Sequence, residues 1–307
     1  FFNLIVCHHI YNFFMESYIQ LFGQRIQATK IEHYLENIPR FTYRKNFPPL
    51  KNEYHFFNMR SDSHWGCCIR CGQSMLFQYL KKVYLKNMID AESQKPPPNR
   101  RLEVDHNTEL RINSQILRDF NDTPDAKYSI HNFCREITNI GGHEGKYTSL
   151  TRLAKAIQHL LAQEYPVYVA EQSTIVREQV LELFQQGKPV LCLVPTIFGI
   201  DKLDQESIYS ITVSVAYETG IGFIGGIKKK AFYFVGYNND TLYYFDPHSV
   251  KNFVSTEADY KTYYESKLKS MPFNSISSSL MLCFCWDNPE QMNSTAKLLT
   301  SIQKSPQ

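Results

Sequence analysis

The stretch SDSHWGCCIRCGQSMLFQYL, residues 61–80, has a turn-like first half and a helical second half. From Ile69 onward, apolar residues recur at positions 69, 76, 79, 80 and 83, which is the spacing of one face of a helix. The Ser-Asp-Ser run at its start supplies side chains that can cap a helix. We therefore predict a helix that begins within a residue or two of Cys67, with Gly66 permitting a sharp turn before it.

Three cysteines crowd this stretch, and several kinds of site use such a pattern. Cys68 and Cys71 have the C-x-x-C spacing of redox pairs and zinc knuckles. A structural zinc site needs four ligands, but Cys283 and Cys285 lie more than 200 residues away and alternate with large apolar residues. A thioredoxin-like motif would follow a strand in a βαβ pattern, which is not evident here. We predict neither a metal nor a cofactor.

A nucleophilic cysteine must be a thiolate, and a helix N-terminus favours one through its dipole and unpaired N–H groups. Cys67 is the first of the three and lies at the predicted helix start. Helix geometry turns Cys68 about 100° away and puts Cys71 about one turn deeper. On this interpretation Cys67 is the candidate nucleophile, and Cys68 and Cys71 are packing residues.

A cysteine nucleophile also needs a base, and the base needs a group that orients it. Among ten histidines, His248 differs because Asp246 lies two positions before it at the end of a predicted strand. Both side chains can therefore project to the same side, and Pro247 stiffens the segment between them. Asp-Pro-His after a strand is also ordinary turn chemistry, so the segment alone leaves both interpretations open.

The composition is that of an ordinary globular protein. Of 307 residues, 43% are hydrophobic and 21% charged, so the chain can bury a large core as one domain or two joined ones. A net charge of +3 does not indicate nucleic acid as a partner, and the Lys228–Lys230 run is expected to be a solvated loop. Eight cysteines without a signal peptide favour a reducing, cytoplasmic location.

The chain divides into three parts by composition. Residues 1–15 form an apolar N-terminal extension, which would not be native if the natural chain began at Met15. Residues 16–290 form the main domain, with an exposed loop or insertion over the proline-rich residues 91–109. Residues 291–307 are expected to be a polar C-terminal tail. We expect a monomer.

The second half of the chain is rich in strand signals, whereas the first half is helical. AFYFVGY and TLYYFD flank Asn238-Asn239-Asp240, which predicts a hairpin that runs into Asp246. VLCLVP and LMLCFCW read as buried strands, and residues 149–164 and 173–188 as amphipathic helices. Early helices followed by strands favour an α+β fold.

Several segments resemble, in order, those of the autophagins, the cysteine proteases that process the ubiquitin-like modifier of autophagy. The similar segments are FTYRKNFPPL (41–50), SDSHWGCCIRCGQ (61–73), YSIH (128–131), PVLCLVPTIFGIDKL (189–203), GFIGGIKKKAFYFVGYNNDTLYYFDPH (222–248) and SISSSLMLCFCW (275–286). The resemblance covers roughly residues 20–290. It implies an α+β, papain-like cysteine protease fold with a small auxiliary subdomain.

The resemblance also implies roles for single residues. Cys67 would be the nucleophile, His248 the general base and acid, and Asp246 the residue that orients His248. Tyr43 would donate a hydrogen bond in the oxyanion hole, and Trp65 would wall the substrate groove, unless it is simply a buried aromatic under the helix start. The implied partners are the ubiquitin-like modifier of autophagy and its phosphatidylethanolamine conjugate, which would bring the enzyme into transient contact with membranes. The implied reaction matures the precursor after its C-terminal glycine and releases the modifier from lipid.

Two positions depart from the family pattern. His64 stands where the family has glycine before the tryptophan, so it would either narrow the substrate groove or point to solvent. After His143-Glu-Gly-Lys146, the family continues with a tryptophan-containing segment over the active site, whereas this chain reads YTSLTRLAKAI. Tyr147 would then replace the tryptophan in part, or the segment that covers the active site would be absent.

Two other functions remain as alternatives. A protease for the ubiquitin-fold modifier shares the W-G-C and D-P-H segments, but FTYRKNFPPL, the SIH step and the I-G-G loop favour the autophagin. A catalytically silent modifier-binding protein is conceivable because of His64. The presence of Cys67, Asp246 and His248 together argues against it.

Overall fold

One large mixed sheet forms the centre of the computed structural model, which describes residues 18–50, 58–93, 105–199, 203–264 and 267–300. The strands, in chain order, are β1 Tyr18–Leu21, β2 Gln24–Gln27, β3 Arg44–Lys45, β4 Val167–Val169, β5 Val190–Ile197, β6 Gly220–Ile227, β7 Lys230–Asn238, β8 Thr241–Phe245, β9 Lys251–Asn252, β10 Leu268–Pro272 and β11 Ser279–Trp286. The predicted strands and the hairpin are thus confirmed.

Helices precede and flank the strands. They are α1 Ile31–Leu35, α2 Cys67–Ser93, α3 His106–Leu117, α4 Ile130–Asn139, α5 Leu150–Leu161, α6 Arg177–Phe184, α7 Gln205–Ala216 and α8 Pro289–Thr300. The start of α2 confirms the helix predicted at Cys67. Asp62 belongs to the run that was expected to cap this helix. Its carboxylate instead accepts hydrogen bonds from the Arg44 backbone and the Arg70 side chain.

The strand order of the main sheet is β10-β8-β7-β6-β11-β5-β4, with β1 pairing to β7 and β2 to β1. Only the β4–β5 pair is parallel in this sheet. Strands β3 and β9 form a separate two-stranded parallel sheet. Helices, a mixed sheet and antiparallel hairpins together make the α+β class predicted from the sequence.

The sheet is buried on both faces. Along β11, the alternating residues Met281, Cys283 and Cys285 belong to one apolar cluster, which includes residues of α2, α4 and α5. The intervening Leu282 and Phe284 belong to a second cluster with residues of α6, α7 and α8. This alternation explains why LMLCFCW has no polar face, and it makes Cys283 and Cys285 packing residues.

Two expected domain boundaries differ from the structure. Over residues 91–109, α2 continues to Ser93 and α3 begins at His106, whereas residues 94–104 lie outside the described part. The polar C-terminal tail expected over residues 291–307 is helical up to Thr300, because α8 buries Met292 and Thr295 against the sheet.

Residues 301–307 and the apolar segment 1–15 lie outside the described part. The separate auxiliary subdomain stays a prediction. Within the described ranges, no helix combines the length and the apolar character needed to cross a bilayer.

Candidate active site

Cys67 is the first residue of α2 and is almost fully buried. Gly66 before it does not have a left-handed backbone. A Cβ atom at Gly66 would instead lie 2.6 Å from the Asp62 side chain. The glycine is therefore needed because the chain packs closely on Asp62 as it enters the helix.

His248 and Asp246 follow β8 and face each other. Nδ1 of His248 lies 2.6 Å from Oδ1 of Asp246, and the His248 backbone N–H donates to the same oxygen over 3.0 Å. The His248 ring packs edge-on against Tyr43 and Phe232, with ring centroids 5.4 and 5.3 Å apart. These contacts fix the ring plane and assign Nδ1 to the carboxylate, which leaves Nε2 for other chemistry.

The Cys67 thiol lies close enough to His248 for the two groups to shift each other's pKa. Burial alone would raise the pKa of Cys67, but contacts with His248, the Ala231 backbone N–H and Tyr43 outweigh it and lower the pKa. Burial would lower the pKa of His248, but Asp246 and Cys67 raise it to about 9. Both shifts favour a thiolate–imidazolium pair near neutral pH.

The resting contact between these groups is looser than a regular hydrogen bond. Nε2 of His248 is buried and has no hydrogen-bonding partner of ordinary geometry among the described residues. The pKa shifts of Cys67 and His248 nevertheless arise partly from their mutual contact. Catalytic hydrogen bonds are often poorly formed in unliganded sites and tighten when substrate binds.

The neighbouring thiols have the opposite electrostatic character. Cys68 and Cys71 are fully or nearly fully buried, and burial raises the pKa of both well above the ordinary value. A neutral buried thiol is a poor nucleophile. Of the three crowded cysteines, only Cys67 therefore has the environment of a reactive thiolate.

Tyr43 joins the FTYR segment to the Asp-Pro-His segment. The Tyr43 backbone N–H donates to the Pro247 carbonyl over 2.8 Å. The Tyr43 carbonyl accepts from the Lys251 N–H over 2.9 Å. Its buried hydroxyl interacts with Cys67, and burial followed by this interaction raises the pKa of the phenol. A neutral phenol held beside the thiol can donate a hydrogen bond at that point.

Trp65 and His64 are neighbours at the helix start but differ in burial. Trp65 is 8% exposed, and its Nε1 donates to the Ser61 carbonyl over 3.1 Å. His64 is exposed and has φ +75°, a left-handed conformation in which glycine is favoured. Of the two alternatives for His64, the structure therefore supports the one that points it to solvent.

A buried ion network supports the site, and sequence reasoning missed its role. Arg70 Nε lies 2.6 Å from Asp62, and its Nη1 lies 2.7 Å from Asp122, with all three side chains fully buried. Asp122 also accepts the Val254 N–H over 2.9 Å. The network ties the nucleophile helix to the segment after β9. The available signal was the presence of Asp62 and Arg70 in the nucleophile motif.

A second missed residue is Lys269 on β10. Its Nζ lies 2.6 Å from Oδ2 of Asp246, on the side opposite His248. It is separated from Asp246 by 23 positions and lies in no motif, so nothing in the sequence singled it out.

Tyr147 lies near the nucleophile but does not seal it. Its side chain is 44% exposed, and the thiols of Cys68, Cys67 and Cys71 contribute to raising its pKa, after burial. Helix α5 begins three residues later with Ser149 as its cap. Among the described residues, no group of three or more His, Cys, Asp or Glu side chains could hold a metal ion.

Comparison with known families decides where this arrangement belongs. The model of the Peptidase C54 catalytic domain matches residues 28–297, which include Cys67, Asp246 and His248. The chain belongs to the Peptidase C54 family. The papain-like α+β fold implied by the sequence is that of this family.

Individual relatives agree with this assignment. The chain is 28% identical over 258 residues to "Cysteine protease ATG4" of Candida albicans (strain SC5314 / ATCC MYA-2876), covering 79% of this chain and 52% of the relative. It is 26% identical over 316 residues to "Cysteine protease ATG4C" of Xenopus laevis, covering 86% and 68%. It is 27% identical over 252 residues to "Cysteine protease ATG4A" of Homo sapiens, covering 71% and 59%. The chain thus spans about half to two thirds of these relatives.

Proposed function

We propose that this protein is a cysteine endopeptidase that cleaves after the C-terminal glycine of the autophagy ubiquitin-like modifier. The observation that carries the proposal is the meeting of Cys67, at the start of α2, with a His248 ring that Asp246 holds through Nδ1. Membership in the Peptidase C54 family supports the same reaction class.

The reaction divides into two displacements. The Cys67 sulfur attacks the carbonyl carbon of the glycine while Tyr43 and the Cys67 backbone N–H stabilise the oxyanion. The C–N bond breaks as His248 gives its proton to the departing amine, which leaves a thioester. The neutral His248 then takes a proton from water, whose oxygen attacks the thioester. The C–S bond breaks, and this releases the glycine carboxylate and restores the thiolate–imidazolium pair.

The leaving amine defines two substrates for one site. A peptide amine makes the reaction a maturation of the precursor, and phosphatidylethanolamine makes it a release of the modifier from membranes. The second substrate implies transient contact with a membrane surface and a cytoplasmic location. We propose that the enzyme acts as a monomer, and the three reacting side chains come from one chain.

The test is cleavage of both substrates by purified protein. A modifier precursor with a short C-terminal extension, and the same modifier conjugated to phosphatidylethanolamine in vesicles, are incubated with wild type, Cys67→Ala and Cys68→Ala. We expect products that end at the glycine by mass, complete loss with Cys67→Ala, and activity within about twofold of wild type with Cys68→Ala, because a buried neutral thiol takes no part.

The other outcomes select the alternatives. Cleavage of only a ubiquitin-fold modifier precursor would assign the protein to that substrate instead. Tight binding of the autophagy modifier without cleavage would make it a silent binding protein. Equal loss of activity in Cys68→Ala, or a requirement for added zinc, would contradict the assignment of the nucleophile.

A further inference from the structure

Asp246 is shared between two cationic groups rather than dedicated to His248. Its Oδ1 accepts both the His248 backbone N–H and Nδ1, over 3.0 and 2.6 Å. Its Oδ2 accepts Lys269 Nζ over 2.6 Å. The carboxylate thus has one oxygen turned to the imidazole and the other turned to an ammonium group.

The sheet register places Lys269 beside Asp246. Strand β10 pairs antiparallel with β8, so that Lys269 lies opposite Tyr244 and Leu268 opposite Phe245. Asp246 follows directly after β8 and is therefore a diagonal neighbour of Lys269, within reach of a long side chain. Lys269 therefore reaches Asp246 from the edge strand β10, which is distant in sequence from the Asp-Pro-His segment.

Charges of opposite sign alternate from Cys67 outward to Lys269. A thiolate on Cys67 is followed by the His248 imidazolium, the Asp246 carboxylate and the Lys269 ammonium. Side-chain exposure is 19% at Asp246 and 55% at Lys269, so the carboxylate is largely shielded whereas the ammonium remains in contact with solvent. The outermost charge is thus screened but still touches the buried carboxylate directly.

The surroundings of His248 and Asp246 contain few other titratable groups. The polar and charged groups that face them are Cys67 and Cys71 from α2, Tyr43 before β3, Tyr244 from β8 and Lys269 from β10. Of these, Lys269 alone carries a positive charge at neutral pH. It is therefore the one side chain in this set that competes with the imidazolium for Asp246.

We propose that Lys269 is a positioning residue that holds Oδ2 of Asp246, so that Oδ1 alone faces His248 and the carboxylate charge is divided between two cations. The inference deepens the proposed peptidase function and rests on it for its catalytic meaning. Dividing the charge keeps the imidazolium from being held too firmly, so His248 can give its proton to the leaving amine.

The test measures the titration of His248 by NMR in protein with labelled histidine, assigned by comparison with His248→Gln. In Lys269→Met we expect this titration to move to higher pH by about half a unit, because a like charge across the carboxylate has been removed but was partly screened. Lys269→Arg retains the charge and the hydrogen bond and should titrate like wild type. With the precursor as substrate, kcat of Lys269→Met should fall about fivefold with KM unchanged.

A control removes a lysine that also donates a hydrogen bond but lies far from the site. Lys82 on α2 is half-buried and donates to the Glu218 carbonyl over 2.8 Å, and it lies 15 residues from Cys67 along the helix, about 22 Å away. Lys82→Met should leave the titration of His248 and kcat unchanged. In an Asp246→Asn background, Lys269→Met should cause a smaller shift, because only the direct repulsion between the two cations then remains.

The outcomes separate this inference from the proposed function. A His248 titration in Lys269→Met that stays in place or moves to lower pH would overturn the inference, even if the variant were less stable. An unchanged kcat would overturn it as well in an enzyme that cleaves the precursor. If wild type cleaves no modifier, the proposed function fails, but the titration still decides whether Lys269 acts on His248 through Asp246.

Discussion

Three thiols lie within five positions of the chain, and at the scale of single residues their surroundings separate them. Cys67 contacts His248, the Ala231 N–H and Tyr43, whereas burial dominates the surroundings of Cys68 and Cys71. The same burial that raises the pKa of the two inner thiols is outweighed at Cys67 by hydrogen-bond donors and a cation. Reactivity is thus set by what each sulfur contacts rather than by the C-x-x-C spacing.

Tyr43→Phe tests the role proposed for the phenol. The phenol hydroxyl is placed beside the thiol, whereas the ring also packs against His248. Removing the hydroxyl alone should lower kcat by about 100-fold or more, the usual cost of one oxyanion donor, with KM and the melting temperature little changed. Steady-state kinetics on the precursor measures this, and an unchanged kcat would exclude Tyr43 from the oxyanion hole.

His64→Gly tests whether the departure from the family pattern costs stability. The exposed imidazole of His64 contributes little to stability, whereas its backbone is strained at φ +75°. Glycine should raise the stability by up to about 1 kcal/mol, since strain is relieved but the unfolded chain gains freedom. His64→Ala keeps the strain and serves as the control in urea unfolding. A glycine variant less stable than the alanine variant would refute the explanation.

At the scale of elements, the site depends on how segments distant in sequence are held together. The short parallel pair β3–β9 places Tyr43 beside Pro247. The Asp62–Arg70–Asp122 network then anchors the start of α2 to the segment after β9. Cys67 and His248 therefore lie on different elements whose relative placement is fixed by buried polar contacts.

Arg70→Met tests the strength of this anchor. It would leave two buried carboxylates without their cation, and such a loss costs about 3–5 kcal/mol. Arg135→Met is the matched control, because the Arg135–Glu136 pair has an exposed arginine and should cost no more than about 1 kcal/mol. Urea unfolding measures both. Equal effects from the two variants would mean that the buried network does not support the fold.

At the scale of the whole molecule, local sequence patterns predicted the helices and strands better than the contacts between them. Period and turn residues sufficed for the β7–β8 hairpin and for α2, because those signals are local. The Ser61-Asp62-Ser63 run was expected to supply capping side chains, but Asp62 pairs with Arg70, which also contacts Asp122 from elsewhere in the chain.

The placement of Lys269 on Asp246 and the helix over residues 289–300 depend on sheet register and on packing of distant segments. The Lys269 contact leaves no local signal in the sequence, whereas Asn288-Pro289-Glu290 was an available signal for a helix start. The triad of Cys67, Asp246 and His248 was reached from helix position, strand position and family resemblance together. Its geometry agrees with that hypothesis, and its catalytic roles stay a prediction.

The stability of the whole protein should depend on pH through His248. Its pKa is raised from 6.5 to about 9 by Asp246 and Cys67, against the effect of burial. A group whose pKa is higher in the folded state stabilises fully below pH 6.5, and this contribution is lost as the pH rises through about 9.

Thermal unfolding from pH 6 to 10 checks this. Because the lowered pKa of Cys67 contributes in the opposite sense, the comparison is made without the thiol: the melting temperature of Cys67→Ala should fall relative to that of Cys67→Ala/His248→Gln as the pH rises above about 6.5. Parallel curves for the two proteins over this range would show that His248 has no raised pKa in the folded state.

The central claim is that Cys67, held beside His248 at the start of α2, is the nucleophile for a glycine-ended ubiquitin-like modifier. The most direct measurement uses the autophagy modifier with an electrophile in place of its final carboxylate, followed by peptide mass spectrometry of the labelled protein. We predict one adduct, on Cys67, that forms much more slowly in His248→Gln. An adduct on Cys68 or Cys71, or labelling of Cys67 at the same rate without His248, would contradict the account.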